Sequence, residues 1–183
     1  EKIFEEMREL ELHGMCLPRE LGGMNCPFLL FDLTHEIMSR ADMAVSTHHG
    51  FHGGIAMAML LYSIMEGSTT FDREKNQITS TRFGPEIAEI VSGAAWGSMD
   101  ITEPAAGSDM AALRSRAELG DDGVWRVTGQ KIFITSGHGK YHFVIARTEA
   151  VKGDDAFAGL KGLSMFLVPT WTEDDKGNRT RVA

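Results

Sequence analysis

Two short segments of this chain carry residue types that could hold a flat, negatively charged ligand. The first is Ile-Thr-Glu-Pro-Ala-Ala-Gly-Ser-Asp at 101–109, and the second is Val-Thr-Gly-Gln-Lys-Ile-Phe-Ile-Thr-Ser-Gly at 127–137. A turn of Pro, Gly and small residues leaves backbone N–H groups open to a phosphate, because no large side chain covers them and glycine adopts dihedrals that other residues avoid. The first segment therefore predicts a phosphate-binding type of loop.

The second segment predicts a strand that presents an aromatic ring beside a hydroxyl group. Side chains alternate between the two faces of a strand, so Ile132 and Ile134 would share one face, and Phe133 and Thr135 the other. The ring could pack on the face of a flat ligand while the hydroxyl bonds its edge. The two segments together predict a site for a flat cofactor with an anionic tail.

Each of these residues also has a purely structural interpretation. Thr102 could cap a turn, and Ser108 with Asp109 could start a short helical turn. Phe133 taken alone is more typical of a hydrophobic core than of a ligand contact. The order and pairing of the two segments, rather than any single residue, favours the site.

A histidine cluster suggests a metal site as an alternative. His48 and His52 are spaced by one helical turn and could share a ligand. The sequence shows neither a matching third ligand nor an H-E-x-x-H pattern, and histidines at helix starts or on surfaces are common. We therefore predict no metal site.

The elements that must position these segments begin with a helical half. Apolar stripes at three- and four-residue steps predict a first helix ending near Gly14 and a second beginning at Pro27. The second stripe comprises Leu30, Leu33, Ile37, Ala41 and Ala44. A largely apolar third helix is predicted over 51–65, ending at Gly67, and short helices over 72–78 and 85–91.

The pattern changes near residue 93 to short strands separated by turn residues. Strands are predicted over 113–119, 124–128, 142–148 and 163–168, with Gly-Asp-Asp-Gly at 120–123 as a hairpin turn. We predict an α+β chain: a helical domain over 1–92, then an antiparallel β-barrel-like domain over 93–183. The candidate loop would lie at the junction, a common place for ligand sites.

Composition narrows the class of protein. The 183 residues carry a formal net charge of −8, which argues against nucleic acid or an anionic membrane as the main partner. No apolar run is long enough to span a membrane. Two cysteines make a disulfide framework improbable, so we expect a reducing, cytoplasmic location.

At its motifs the sequence resembles the acyl-CoA dehydrogenase family of flavoproteins. Residues 102–109 match the family's T-E-P-x-x-G-S-D signature, and residues 129–135 match its G-Q-K-x-x-I-T segment. Leu-Pro-Arg-Glu-Leu-Gly-Gly at 17–23 looks like an N-terminal family segment, and 162–169 looks like the G-x-S-x-F-L-V-P strand. The four motifs occur in family order and cover nearly the whole chain.

The resemblance implies FAD as cofactor and an acyl-CoA as substrate. It places seven residues at the cofactor. The backbones of Met99 and Ile101 would line the flavin ring, Thr102 and Thr135 would bond its edge, and the Phe133 ring would pack on its face. Ser108 would face the pyrophosphate or the acyl-CoA. These residues are Met99, Ile101, Thr102, Gly107, Ser108, Phe133 and Thr135. Ser136 and Gly137 would shape the turn beside the ring, and Glu103 would be structural.

The resemblance also implies a reaction. Family members remove two hydrogens from the Cα–Cβ bond of an acyl-CoA thioester: a glutamate takes the α-proton and the flavin takes the β-hydrogen as hydride. That glutamate belongs to a third, helical domain, which we expect to be absent, so no catalytic residue is assigned and the chain alone is expected to be inactive. An electron-transfer flavoprotein would accept the electrons, and the full-length protein would be a homo-oligomer.

Three positions depart from the common family pattern: Asp100 replaces a small residue or Cys, Ala105 a Gly, and Phe133 a Trp. A phenylalanine at position 133 resembles the pattern of a family branch that acts on long or unusual acyl-CoAs, including methylmercaptopropionyl-CoA. The methionines are typical core fillers, but could line an acyl tunnel. A non-catalytic flavin- or acyl-CoA-binding protein and a flavin-dependent monooxygenase on the same fold remain alternatives.

Overall fold

The chain is described by a computed structural model over residues 2–150, 153 and 158–182. It divides into two compact units, Glu1–Gly97 and Ser98–Ala183. The unit boundary at residue 97 lies close to the predicted change at 92. The predicted α+β class is confirmed: helices dominate the first unit and strands the second.

Four α-helices build the first unit: α1 (Lys2–Glu9), α2 (Phe28–Ala41), α3 (Met43–Met65) and α4 (Gly84–Val91). The predicted start of the third helix at 51 was wrong. The helix begins at Met43 because the Asp42 carboxylate accepts hydrogen bonds from the N–H groups of Ala44 and Val45 and so caps the first turn. The predicted end is confirmed, since Gly67 follows with a φ of +78°.

Helix α2 packs on α3 through a face that the apolar stripe did not predict. Phe31 and His35 stack near the His49 ring, with centroid distances of 5.6 Å each, and Ser39 bonds Ser46 at 2.8 Å. The predicted stripe lies elsewhere and is exposed: Leu30, Leu33 and Ile37 are 51%, 50% and 70% exposed. The periodicity predicted a helix here correctly, but not its end, since Ala44 of the stripe already lies in α3, nor which face packs on this unit.

The predicted helix over 72–78 was wrong. The segment is a hairpin of β1 (Thr70–Asp72) and β2 (Gln77–Ser80). Its turn is stabilised by the Asp72 carboxylate, which accepts hydrogen bonds from the N–H groups of Glu74 and Lys75. This Asx-type turn supplies locally the bonds that a helix would otherwise have made.

The second unit is a five-stranded sheet with two further short strands. The sheet contains β3 (Gly97–Asp100), β4 (Arg116–Leu119), β5 (Trp125–Thr128), β6 (Tyr141–Arg147) and β7 (Leu163–Pro169), and the hairpin is β8 (Trp171–Glu173) with β9 (Arg179–Arg181). Along the sheet the order is β3-β6-β4-β5, with β7 also paired to β6.

Two details of the predicted β-domain need correction. The sheet is not wholly antiparallel, because β4 and β6 pair in parallel through Arg116 and Arg147. Over the described ranges, the strands form an open sheet and a separate hairpin rather than a closed barrel. Strands β4 to β7 otherwise match the predicted segments, and β6 and β7 pair along their full length.

Helices of the described part of the chain are each too short or too polar to cross a membrane.

Candidate functional site

The segment around Phe133 is not the predicted strand. Residues 131–135 run as irregular chain into a turn, and Phe133 itself has a φ of +56°. That left-handed conformation breaks the two-residue alternation on which the predicted shared face of Phe133 and Thr135 depended. The Phe133 side chain nevertheless points outward, being 89% exposed, and Thr135 is half-buried.

An ion pair joins the two predicted site segments. The Lys131 ammonium donates to the Glu103 carboxylate at 2.9 Å and to the Ile101 carbonyl at 2.9 Å. Both side chains are nearly buried, at 9% and 6% exposure. The N–H of Ile132 also donates to the Thr102 carbonyl at 2.9 Å. The structure therefore brings the segments at 101–103 and 131–132 side by side.

Glu103 is held by three hydrogen bonds and stays ionised. Besides Lys131, its carboxylate accepts from the N–H groups of Arg114 at 2.7 Å and Ser115 at 2.9 Å. Burial raises the pKa of this carboxyl, but the hydrogen bonds from Ser115, Lys131 and Arg114 outweigh it and lower the pKa to about 2. The structural role expected for Glu103 accords with these contacts.

The loop that follows makes a tight backbone turn, and its small side chains leave the loop surface uncovered. Glu103 and Ala106 exchange backbone hydrogen bonds of 2.7 and 3.2 Å around Pro104 and Ala105. The nearest atom to a β-carbon added at Gly107 would be the Thr102 methyl group, 3.9 Å away. Gly107 therefore lies next to Thr102, but its φ is not positive. The expected need for a glycine dihedral at this position was wrong.

Asp109 does start a short helical turn. Its carboxylate accepts a hydrogen bond from the N–H of Ala111 at 3.1 Å, at the beginning of a 3₁₀ turn over Met110–Ala112. Ser108 and Gly107 precede it and are exposed. The structural alternative considered for this pair thus holds for Asp109, while Ser108 keeps an open side chain.

Strand β3 presents two different faces. Ser98 and Asp100 are buried, whereas Met99 and the following Ile101 are half-buried, as the period of two requires. The buried pair faces His142 of β6, whose Nδ1 lies 2.9 Å from Asp100 Oδ2 and 2.8 Å from Ser98 Oγ. The predicted ligand-lining residues therefore alternate along β3 with a polar network.

His142 bonds to acceptors at both ring nitrogens. Its Nε2 lies 3.0 Å from Thr170 Oγ1 and 3.2 Å from the Gly139 carbonyl, and the Thr170 hydroxyl itself donates to that carbonyl at 2.8 Å. The hydrogen bond to Asp100 raises the pKa of His142 above its usual 6.5, against the opposing effect of burial. Sequence reasoning noted Asp100 as unusual, but had no signal for a partner 42 residues away.

Of the two histidines considered as metal ligands, His48 meets the Phe4 ring edge-on at a centroid distance of 5.6 Å, and His52 bonds within the helical unit. In the first unit His52 and His49 donate from Nε2 to the carbonyls of Ile90 and Leu12, each at 2.8 Å. His13 packs against the His52 ring at 4.7 Å and the Trp96 ring at 5.2 Å. Within the described residues no three His, Cys, Asp or Glu side chains are grouped to hold a metal ion.

Comparison with known proteins assigns the family. Residues 1–66 match the model of the acyl-CoA dehydrogenase N-terminal domain, and residues 98–182 match that of the acyl-CoA dehydrogenase middle domain. The two matches follow the order of the two units. Together they cover every residue except 67–97 and 183. The chain belongs to the acyl-CoA dehydrogenase family.

Two curated relatives show the same kinship. A 3-methylmercaptopropionyl-CoA dehydrogenase of Ruegeria pomeroyi is 29% identical, with 97% of this chain and 28% of that protein covered. A broad-specificity linear acyl-CoA dehydrogenase of Mycobacterium tuberculosis is 35% identical, with 94% and 26% covered. The chain thus spans little more than a quarter of the length of these relatives.

Among solved structures, the fold resembles an acyl-CoA dehydrogenase of Bacillus anthracis complexed with FAD. The TM-score is 0.68 at 23% sequence identity, and the match covers 94% of this chain and 26% of that one. This likeness independently supports the order of elements described above.

Proposed function

We propose that this chain forms the N-terminal and middle domains of an FAD-dependent acyl-CoA dehydrogenase, which oxidises the Cα–Cβ bond of an acyl-CoA thioester to the 2-enoyl-CoA. The observation that carries the proposal is the exposed Phe133 ring. Phe133 combines a left-handed backbone with a side chain that is 89% exposed, and residues with such strained backbones cluster at ligand sites. A flat aromatic cofactor is the ligand whose face such a ring suits.

The residues present fit FAD. The Phe133 ring is open, the loop at Gly107 has room beside Thr102, and the segments bearing Thr102 and Thr135 are joined through the Ile132 and Lys131 hydrogen bonds. The chain therefore offers a ring, two hydroxyl groups and a loop of small residues. The match to an FAD complex within the family points to the same cofactor.

Each residue has a proposed part in holding the cofactor. Thr102 and Thr135 bond the edge of the flavin ring, Phe133 packs on its face, and Ser108 with Gly107 meets the pyrophosphate. Ser108 is also the proposed contact for the acyl-CoA. The backbones of Met99 and Ile101 line the ring, which suits their half-buried positions on β3 and directly after it. FAD, when bound, supplies the two-electron chemistry of the oxidation.

Glu103 is not proposed as the base that removes the α-proton. A general base needs a free oxygen and a pKa near the working pH. The Glu103 carboxylate is committed to Lys131, Arg114 and Ser115, and its pKa is about 2. We therefore propose that the base lies outside this chain, on the remaining length that the relatives possess.

The first test measures FAD binding by the chain and by its Phe133→Ala variant. Loss of the stacking ring should weaken FAD binding about fivefold, since an aromatic pair contributes on the order of 1 kcal/mol beyond area burial. Quenching of FAD fluorescence during a titration gives the dissociation constant. The chain should remain folded, because the ring buries little of its own surface.

Trp125→Ala is the matched control for this test. Trp125 is another exposed aromatic residue of the same unit, 45% exposed and 5.3 Å from Phe166 by ring centroids. Its removal should leave FAD binding unchanged. Equal weakening in both variants would show that Phe133 has no special part in holding the flavin.

The second test concerns activity. We expect no turnover of acyl-CoA by the purified 183-residue chain with added FAD and a dye acceptor, whether butyryl-, octanoyl- or 3-methylmercaptopropionyl-CoA is supplied. The physical reason is the proposed absence of a free base. Measurable dye reduction that depends on acyl-CoA would contradict the assignment of the base to another part of the protein.

The substrate and the partners are proposed as classes of molecule. The relatives' names indicate acyl-CoA thioesters, linear or sulfur-containing, so we propose an acyl-CoA substrate. An electron-transfer flavoprotein is the proposed electron acceptor and a homo-oligomer the proposed assembly of the whole protein.

A further inference from the structure

The network behind β3 suggests how the proposed flavin site is held together. Asp100 and Ser98 lie on the buried face of β3, and Met99 and Ile101 alternate with them toward the proposed cofactor. His142 reaches from β6 to this buried face through Nδ1. Any change in the His142 contacts therefore acts on the strand that carries Met99 and Ile101.

The opposite nitrogen of His142 reaches the second segment of the site. Nε2 bonds to the Gly139 carbonyl and to Thr170 Oγ1. The N–H of Gly139 in turn donates to the Ser136 carbonyl at 2.8 Å, so the Gly139 carbonyl ends the turn that follows Thr135. One imidazole ring therefore joins β3 to the turn that follows Phe133 and Thr135.

The hydrogen-bond pattern around His142 suits the imidazolium form of its ring. Nδ1 faces the Asp100 carboxylate, which can only accept, while the Ser98 hydroxyl directs its own proton to Asp100 Oδ1 at 2.7 Å. Nε2 faces a carbonyl and a hydroxyl whose proton is already donated to that carbonyl. With the Thr170 proton directed to Gly139, both ring nitrogens donate, and only the imidazolium has a proton on each; in the neutral ring the Thr170 hydroxyl would instead donate to Nε2.

Asp100 on β3 provides the facing charge, while Ser98, Thr170 and Gly139 present neutral groups. The neighbouring Lys140 directs its ammonium over the Tyr141 ring, 5.1 Å from the ring centre. Loss of the Nε2 proton would turn the Thr170 hydroxyl toward Nε2, so the Gly139 carbonyl would lose both of these donors and the connection to the turn would weaken.

We propose that Asp100 and the doubly protonated His142 form a positioning pair, which holds β3 and the turn after Thr135 in the arrangement that binds the flavin, so that FAD affinity falls when His142 is deprotonated. The proposal rests on the proposed function of the chain. His142 is a positioning residue, because it acts through the two segments rather than by touching the cofactor.

The test measures the FAD dissociation constant between pH 6 and 9 for the chain and three variants. For the unmodified chain, affinity should fall about tenfold across the titration of His142, within the usual range of coupling between sites. In Asp100→Asn the midpoint of this fall should move to lower pH, because the facing charge is gone. His142→Gln should bind FAD weakly and with no dependence on pH over this range. Asp122→Asn, on the exposed turn between β4 and β5, is the control and should behave like the unmodified chain.

A second measurement follows from linkage. If protonation strengthens FAD binding tenfold, FAD must raise the pKa of His142 by about one unit, which NMR of the ring nitrogens can detect. A merely structural role in folding would not produce this shift. FAD binding that is present but independent of pH, or pH dependence that persists in His142→Gln, would overturn the positioning role alone. Absence of FAD binding at every pH would instead overturn the proposed function, and this inference with it.

Discussion

Lowering the pH from about 7.5 to about 5 should destabilise the N-terminal unit by about 4 kcal/mol, through two buried histidines. His13 and His52 are 1% and 0% exposed. Burial, with a smaller contribution from neighbouring histidines, lowers the pKa of His13 to about 4 and that of His52 to about 3. Burial also lowers the pKa of His49. The native unit therefore keeps the His13 and His52 rings largely neutral at about pH 5.

The sign of the effect follows from proton binding. In the unfolded chain each histidine titrates at its ordinary pKa of 6.5. Below that pH the unfolded state therefore binds protons that the native state binds only at lower pH. Stability is full above about pH 6.5 and falls progressively until the native rings titrate near pH 4 and 3. At about pH 5 the loss is about 2 kcal/mol for each of the two residues.

Urea unfolding followed by far-UV circular dichroism and tryptophan fluorescence measures this loss. Trp96 is a suitable reporter, because its ring centre lies 4.1 Å from that of His52. The variants His13→Leu and His52→Gln should each reduce the loss by about 2 kcal/mol, and the glutamine amide can still donate to the Ile90 carbonyl. His138→Gln, an exposed position in the other unit, should change nothing. An unchanged dependence in both core variants would contradict the assignment.

Breaking the Glu103–Lys131 pair should cost about 3–5 kcal/mol of stability in the second unit. In Glu103→Gln the Lys131 ammonium stays nearly buried with only neutral partners, and in Lys131→Met the carboxylate keeps only backbone donors. Because an unpaired buried charge causes most of this cost, the double variant should lose less than the two single variants together. Chemical denaturation of all four proteins gives the coupling energy.

Asp122→Asn supplies the comparison for this experiment. It breaks the Asp122–Arg126 pair of the same unit, in which both side chains are more than half exposed. Solvent screens such a pair, so its loss should change stability little. Equal effects at the two pairs would mean that burial of Glu103 and Lys131 does not govern their contribution.

The sequence predicted elements well where local signals were sufficient. The helix at 85–91 was marked by Pro85 at its start, and the β4–β5 hairpin by the glycines flanking its turn. The prediction from sequence failed at 72–78, where an Asx turn competes with a helix. It also failed at the start of α3, where the Asp42 cap precedes the apolar run. Such competition depends on a few hydrogen bonds, which periodicity does not report.

In the candidate site, too, the sequence predicted some features and missed others. Small residues at 104–108 and the pairing of two motifs were sufficient to indicate a loop and a neighbouring ring. The strand predicted around Phe133 was wrong, because alternation of apolar residues cannot reveal a left-handed residue held by contacts from Lys131 and Ile132. The assignment of individual cofactor contacts stays a prediction.

By itself the sequence determined the family, the α+β class, the order of helical and β units and the two segments of the candidate site, because each is encoded in local residue order and spacing. Only the tertiary structure decided which charges meet. Glu103 with Lys131 and Asp100 with His142 are separated by 28 and 42 residues, and folding alone brings them within 2.9 Å. The same holds for the neutral histidines, whose burial depends on helices packed from distant parts of the chain.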